Sequence, residues 1–190
     1  MKKVLAILLI GLSLAGFCFA EDKQDTGKSE YEKVLLQKGS LLIKEFEKFQ
    51  TLKYGSGYSD DIDGEICTLT DAQTNQKIYA LRMSHFYYSS KYDSGTSTGV
   101  LDAAEIASVV STLNYVKNEF DKLDAVSSYK EMVYTCNGGL SLGAYQSGNE
   151  KKLFIKFDYK DTTRIDFAKI DDLINFFSEA QNKIDQKMKK

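Results

Sequence analysis

The sequence predicts an α+β domain, an antiparallel sheet with two amphipathic helices packed on one face. Three observations predict it. Apolar and polar residues alternate at 79–87 and again at 153–159, the period of half-buried strands. Two segments, from Asp102 and from Asp166, carry apolar residues at helical spacing behind an acidic cap. Turn residues separate the strands, most clearly Asn137-Gly138-Gly139.

Taken in order, Lys2 and Lys3 precede the apolar run 4–14, and Cys18-Phe19-Ala20 has the small-residue pattern of a processing site. Residues 1–20 therefore read as a secretory signal peptide, and the protein is expected to be exported to a periplasmic or extracellular space. A lipid anchor at Cys18 is disfavoured by the bulky Phe17 before it. Residues 21–33 read as a loose polar arm, and 34–190 as one α+β domain. Runs 34–36 and 41–49 read as strands around Lys38-Gly39-Ser40, although Glu45, Glu47 and Lys48 also permit a helix. Residues 54–64 read as a loop.

Runs 66–70 and 77–88 form the next hairpin, with Tyr79, Leu81, Met83, His85 and Tyr87 on one face. A flexible stretch, 89–99, leads into the first helix. Asp102 caps it, Glu105 completes a capping box, and Ile106, Val109, Val110, Leu113, Val116 and Phe120 make its buried stripe. In the second half 132–135 and 140–145 flank the NGG turn, and a strand carries Leu153, Ile155, Phe157 and Tyr159. Asp166 then caps a helix with Ile170, Leu173, Ile174, Phe177, Ala180 and Ile184 on one side.

The helices superpose at a shift of sixty-four residues and the strands before them at seventy-four. That predicts a tandem ββα duplication, with halves 65–124 and 130–190, whose units share one core. The strand–LDxxE–helix order and the NGG hairpin are similar in pattern to small exported bacterial proteins, and no family name follows from them.

Composition excludes several classes. The chain has no Pro, one His, three Cys and only two arginines among 25 basic residues, Arg82 and Arg164. Removing the leader takes away two lysines and no acids, so the formal charge falls from −2 to −4. A mildly acidic domain is a poor nucleic-acid ligand. No later stretch is long and apolar enough to span a bilayer, and no cofactor motif is present.

The residues that might carry chemistry are few. Cys67 and Cys136 allow a disulfide in an oxidising compartment, and two separate buried thiols are the other reading. His85 on an apolar strand face reads first as a core histidine and second as a base without a nucleophile elbow. Zinc would need carboxylate-rich ligation. Asp60, Asp61, Asp63 and Glu65 form an acidic turn. Asp61 and Asp63 resemble the start of a calcium loop, but Ser59 and Thr70 occupy ligand positions that need carboxylates. Tyr87, Tyr88 and Tyr92 make an aromatic patch suited to a protein or glycan partner.

The leading expectation is a non-catalytic exported binding or interaction module. The alternatives are an extracytoplasmic hydrolase using His85 or the acidic turn, and a secreted enzyme inhibitor.

Overall fold

Four strands, not two, precede each long helix. A computed structural model describes residues 27–57, 60–90, 93–124, 126–158 and 160–189. The order is α1 (Glu30–Leu35), β1 (Leu42–Lys53), β2 (Asp61–Asp71), β3 (Lys77–Ser90), β4 (Asp93–Asp102), α2 (Ala103–Asp121), β5 (Val126–Thr135), β6 (Ser141–Gly148), β7 (Glu150–Lys156), β8 (Thr162–Asp166), a 3-10 turn at Phe167–Lys169 and α3 (Ile170–Met188). The expected leader with Cys18, the arm up to residue 26, Ser59, Tyr92 and Tyr159 lie outside the described residues.

The class is α+β. The expected single sheet is corrected to two four-stranded antiparallel sheets, ordered β1-β2-β3-β4 and β5-β6-β7-β8. The unforeseen strands are β4 and β8. Strand β4 begins Asp-Ser-Gly-Thr-Ser-Thr-Gly and has no apolar alternation, which is why 89–99 reads as a loop. Pairing with β3 overrides that composition, placing Gly95 opposite Tyr87 and Gly99 opposite Met83. The Tyr87 ring covers Gly95, and the missing side chain of Gly99 admits Leu140 from the second sheet.

Residues 34–36 are likewise corrected, from strand to the end of a short helix. The Ser29 hydroxyl accepts from the Glu32 N–H at 3.1 Å, and the Glu32 carboxylate accepts from the Ser29 N–H at 3.0 Å. This reciprocal cap starts α1 within the expected loose arm. The helix buries Tyr31 against the outer side of the first sheet, with Cys67, Leu69 and Ala80.

One main core joins both sheets and both long helices. Ile62, Ile66, Leu81 and Met83 face it from the first sheet, and Leu142, Ala144, Leu153 and Ile155 from the second. Helix α2 contributes Ile106, Val109, Leu113, Val116 and Phe120, five of the six residues its spacing predicts, and Val110 is only partly covered. In α3 the stripe is shifted: Phe176 is fully buried, whereas Ile174 is only partly covered.

The predicted NGG turn docks on the start of α2. Gly139 takes the turn's positive φ of 82°, and the Asn137 N–H donates to Glu105 Oε1 at 2.7 Å. The other Glu105 oxygen accepts from the Asp102 N–H at 3.2 Å. The Asp102 carboxylate in turn accepts the N–H groups of Glu30 (2.6 Å) and Tyr31 (3.1 Å), where negative charge suits a helix start.

Strand β1 leaves a long edge exposed, with Ile43 and Phe46 about half accessible. Lys44, Glu45, Glu47 and Lys48 flank them, and charges along an edge discourage edge-to-edge pairing. Glu47 pairs with Lys187 at 2.6 Å, tying the end of α3 to β1.

Of the two readings for the cysteines, the structure has the separate buried thiols: Cys67 and Cys136 are free and lie in two different clusters. Cys67 faces α1 on one side of its sheet while Cys136 faces the main core. Burial pushes the Cys67 thiol up to about 11, and the Cys136 thiol and the Tyr31 phenol up to about 12. An unfolded chain releases these protons near pH 8.5–10, earlier than the native state does. Their contribution is therefore complete below that range and lost as pH rises through the native values. The melting temperature, followed by circular dichroism from neutral pH to about pH 11, is expected to fall above pH 9; a flat profile contradicts this burial.

Candidate functional site

Strand parity puts His85 on the inward face of β3, with Leu81 and Met83. At this end of the strand the main core gives way to the seam between the two sheets. The β7–β8 turn approaches from the other side. Its shape is set by Asp158, whose Oδ1 accepts the N–H groups of Lys160 at 2.6 Å and Asp161 at 2.8 Å. The Phe157 N–H closes the turn on the Asp161 carbonyl at 2.9 Å. Burial opposes ionisation of Asp158, yet those two N–H groups and the Ser97 hydroxyl hold its carboxyl below the usual range. Ser97 lies on β4, so this bond crosses the seam at 3.3 Å.

The turn delivers Asp161 to His85. The Asp161 carboxylate receives His85 Nδ1 at 2.8 and 3.0 Å, with both side chains almost wholly buried. A carboxylate only accepts, so Nδ1 carries a proton. On the neutral ring Nε2 then accepts from the Tyr54 hydroxyl, 2.9 Å away. The imidazole stacks on Phe157 at 5.6 Å between centroids and 14° between planes. Burial pushes the Tyr54 phenol up to about 12, so it remains a neutral donor at physiological pH.

Above this chain lies an open cleft of about 390 Å³. Its walls come from both sheets: Tyr54, Asp60, His85, Tyr87 and Tyr88 on one side, and the run 160–164 on the other. Two of the three tyrosines expected to bind, Tyr87 and Tyr88, line the cleft, and the third, Tyr92, lies outside the described residues. His85 and Asp60 reach it too.

The remaining acidic residues do not. Residues 61–65 belong to β2 rather than to the expected loop, and their outward carboxylates each meet a cation. Asp61 is 3.6 Å from Lys53, Asp63 is 2.8 Å from Lys48, and Glu65 is 2.6 Å from Arg82. The Lys48 and Thr51 hydrogen bonds hold the Asp63 carboxyl below its usual range. Asp61 and Asp63 thus face lysines along a strand instead of converging as a calcium loop would. Among the described residues no group of three or more His, Cys, Asp or Glu side chains is arranged to hold a metal.

Asp161, Thr163, Lys160 and Arg164 were not foreseen as site residues. The nearest sequence signal for them is Phe-Asp-Tyr-Lys-Asp at 157–161, whose two aspartates suit a turn; nothing local connects that turn to His85. Thr163 Oγ1 lies 3.2 Å from Nε2 and 3.3 Å from Nδ1. Being equidistant from both, it lies off either nitrogen's in-plane axis, so it lacks the alignment of a hydroxyl activated by a histidine base. No helix among the described residues is long and apolar enough to cross a membrane. Comparison with family models, curated proteins and solved structures gives no match for this chain.

Proposed function

We propose that this chain is an exported, non-catalytic binding module whose ligand site is the cleft at the seam of the two sheets. The observation that carries the reading is the convergence of Tyr87 and Tyr88 with polar groups of both sheets around that cleft. Concave sites with aromatic walls and a few convergent polar groups are the usual places for ligands. Export rests on the leader at 1–20. The equal strand counts of the two sheets, each followed by a 19-residue helix, support descent of both halves from one duplicated unit. The strands aligned in the sequence overlap the third strand of each sheet, Lys77–Ser90 and Glu150–Lys156.

The hydrolase alternative gains the Asp161–His85 pair but is not favoured by what surrounds it. Both imidazole nitrogens already have partners: the group aligned with Nε2 is the Tyr54 phenol, which burial pushes up to about 12 and so keeps from ionising as a nucleophile, and the Thr163 hydroxyl lies off axis. The secreted-inhibitor alternative would place an enzyme in the same cleft.

Tyr88 is 62 % exposed and Tyr87 packs on Gly95, so Tyr88→Ala and Tyr87→Phe test the cleft with little effect on the fold. Screened against a glycan array and a phage-displayed peptide library, Tyr88→Ala is expected to lose about tenfold in affinity for whatever the parent protein binds, at unchanged circular dichroism. Unchanged binding removes the cleft from consideration. Turnover of a chromogenic ester or glycoside panel that disappears in His85→Ala would replace this reading with the hydrolase.

A further inference from the structure

Five consecutive residues, 160–164, line the cleft, and the last three belong to β8. Successive strand residues point to opposite faces of a sheet. A cavity that touches Thr162, Thr163 and Arg164 together therefore runs along the edge of β8 and not across one of its faces. Strand β8 is the terminal strand of its sheet, paired only with β7.

The phase of the ladder shows which backbone groups face the cleft. The Phe157 N–H bonds the Asp161 carbonyl, and the same register continues as 156 with 162, 155 with 163 and 154 with 164. Antiparallel pairs alternate between hydrogen-bonded and non-bonded. Asp161, Thr163 and Ile165 thus bond toward β7, while the N–H and C=O groups of Thr162 and Arg164 point the other way. Among the described residues no backbone group meets them from that side. The Arg164 side chain is exposed at the cleft, and no ion pair to it occurs among the described residues, whereas Lys160, on the same cleft, lies 4.0 Å from Asp93.

We propose that the cleft takes an extended peptide carrying an acidic residue, which adds as a strand to the free edge of β8. Main-chain bonds to Thr162 and Arg164 supply the pairing, and the acidic side chain meets the Arg164 guanidinium. Alternate peptide residues pack against the tyrosines, as in other strand-addition sites. The long β1 edge is guarded by charge on open surface. The short β8 edge differs in opening into a walled cleft. This inference rests on the cleft being the ligand site.

The test uses the purified protein and a phage-displayed random dodecapeptide library, followed by fluorescence polarisation with synthetic copies of the selected sequences. Selected peptides are expected to contain Asp or Glu and to lose about tenfold in affinity on N-methylation at every second residue, because each methyl group removes one ladder bond. Arg164→Pro removes an N–H that points away from β7, a position where an edge strand tolerates proline. It is expected to cost about tenfold, and Arg164→Ala, which keeps the N–H, less. No selected peptide, or peptides indifferent both to N-methylation and to Arg164→Pro, overturns the inference. Glycan binding that Tyr88→Ala abolishes, with no peptide binding, overturns it while leaving the binding-module reading in place. Binding of neither class defeats both.

Discussion

Asp161→Ala is expected to destabilise the protein by about 3 kcal/mol, the cost of stranding a buried imidazole N–H without its carboxylate. Asp161 is 2 % exposed and His85 5 %, so the bond is shielded from water in the native state. The pair joins β3 of the first sheet to the β7–β8 turn of the second, and the damage falls on the seam itself. At about 2–4 °C per kcal/mol for a chain of this size, melting is expected to drop by about 6–12 °C. Asp161→Asn keeps an acceptor oxygen and is expected to cost less than half as much. A double-mutant cycle with His85→Phe separates the bond from packing, since each single change removes one side of the same contact. A coupling energy near zero would mean that the pair does not hold the seam.

The second large effect is expected from Phe176→Ala, at about 4 kcal/mol. The ring is fully buried, 5.2 Å from Phe49 of β1 and 5.5 Å from Phe177 in an edge-to-face arrangement. Gly64 of β2 leaves the space into which the ring projects. The side chain therefore fastens the middle of the last helix to the first sheet, while Glu47 and Lys187 tie its end. Urea unfolding measures the loss through the midpoint, with a slope close to that of the parent protein. A loss below about 1 kcal/mol would show that the core collapses around the gap.

These two residues mark the limit of what was legible in the chain. Phe176 lies outside the helical stripe read from spacing, which includes Ile174 instead. An apolar arc specifies a face only to within a residue or so, and the approach of β1 and β2 selects Phe176. Strand β4 was missed for a related reason. Its small polar residues carry no alternation, and only the backbone pairing offered by β3 makes them a strand. Asp161 is 76 residues from His85, a separation at which no local pattern connects a histidine to its partner.

The sequence by itself determined the local features. These are the cap residues and buried stripe of α2, the inward parity of His85 with Leu81 and Met83, and the turn at Asn137-Gly138-Gly139. Each depends on the geometry of a helix turn, a pleat or a positive φ within a few residues. Tertiary structure alone decided that the strands divide into two sheets and that Cys67 and Cys136 belong to different clusters. It also decided that Tyr54, His85 and Asp161 meet beneath one cleft. Those outcomes depend on contacts between residues far apart in the chain, which form only when both sheets close over a common core.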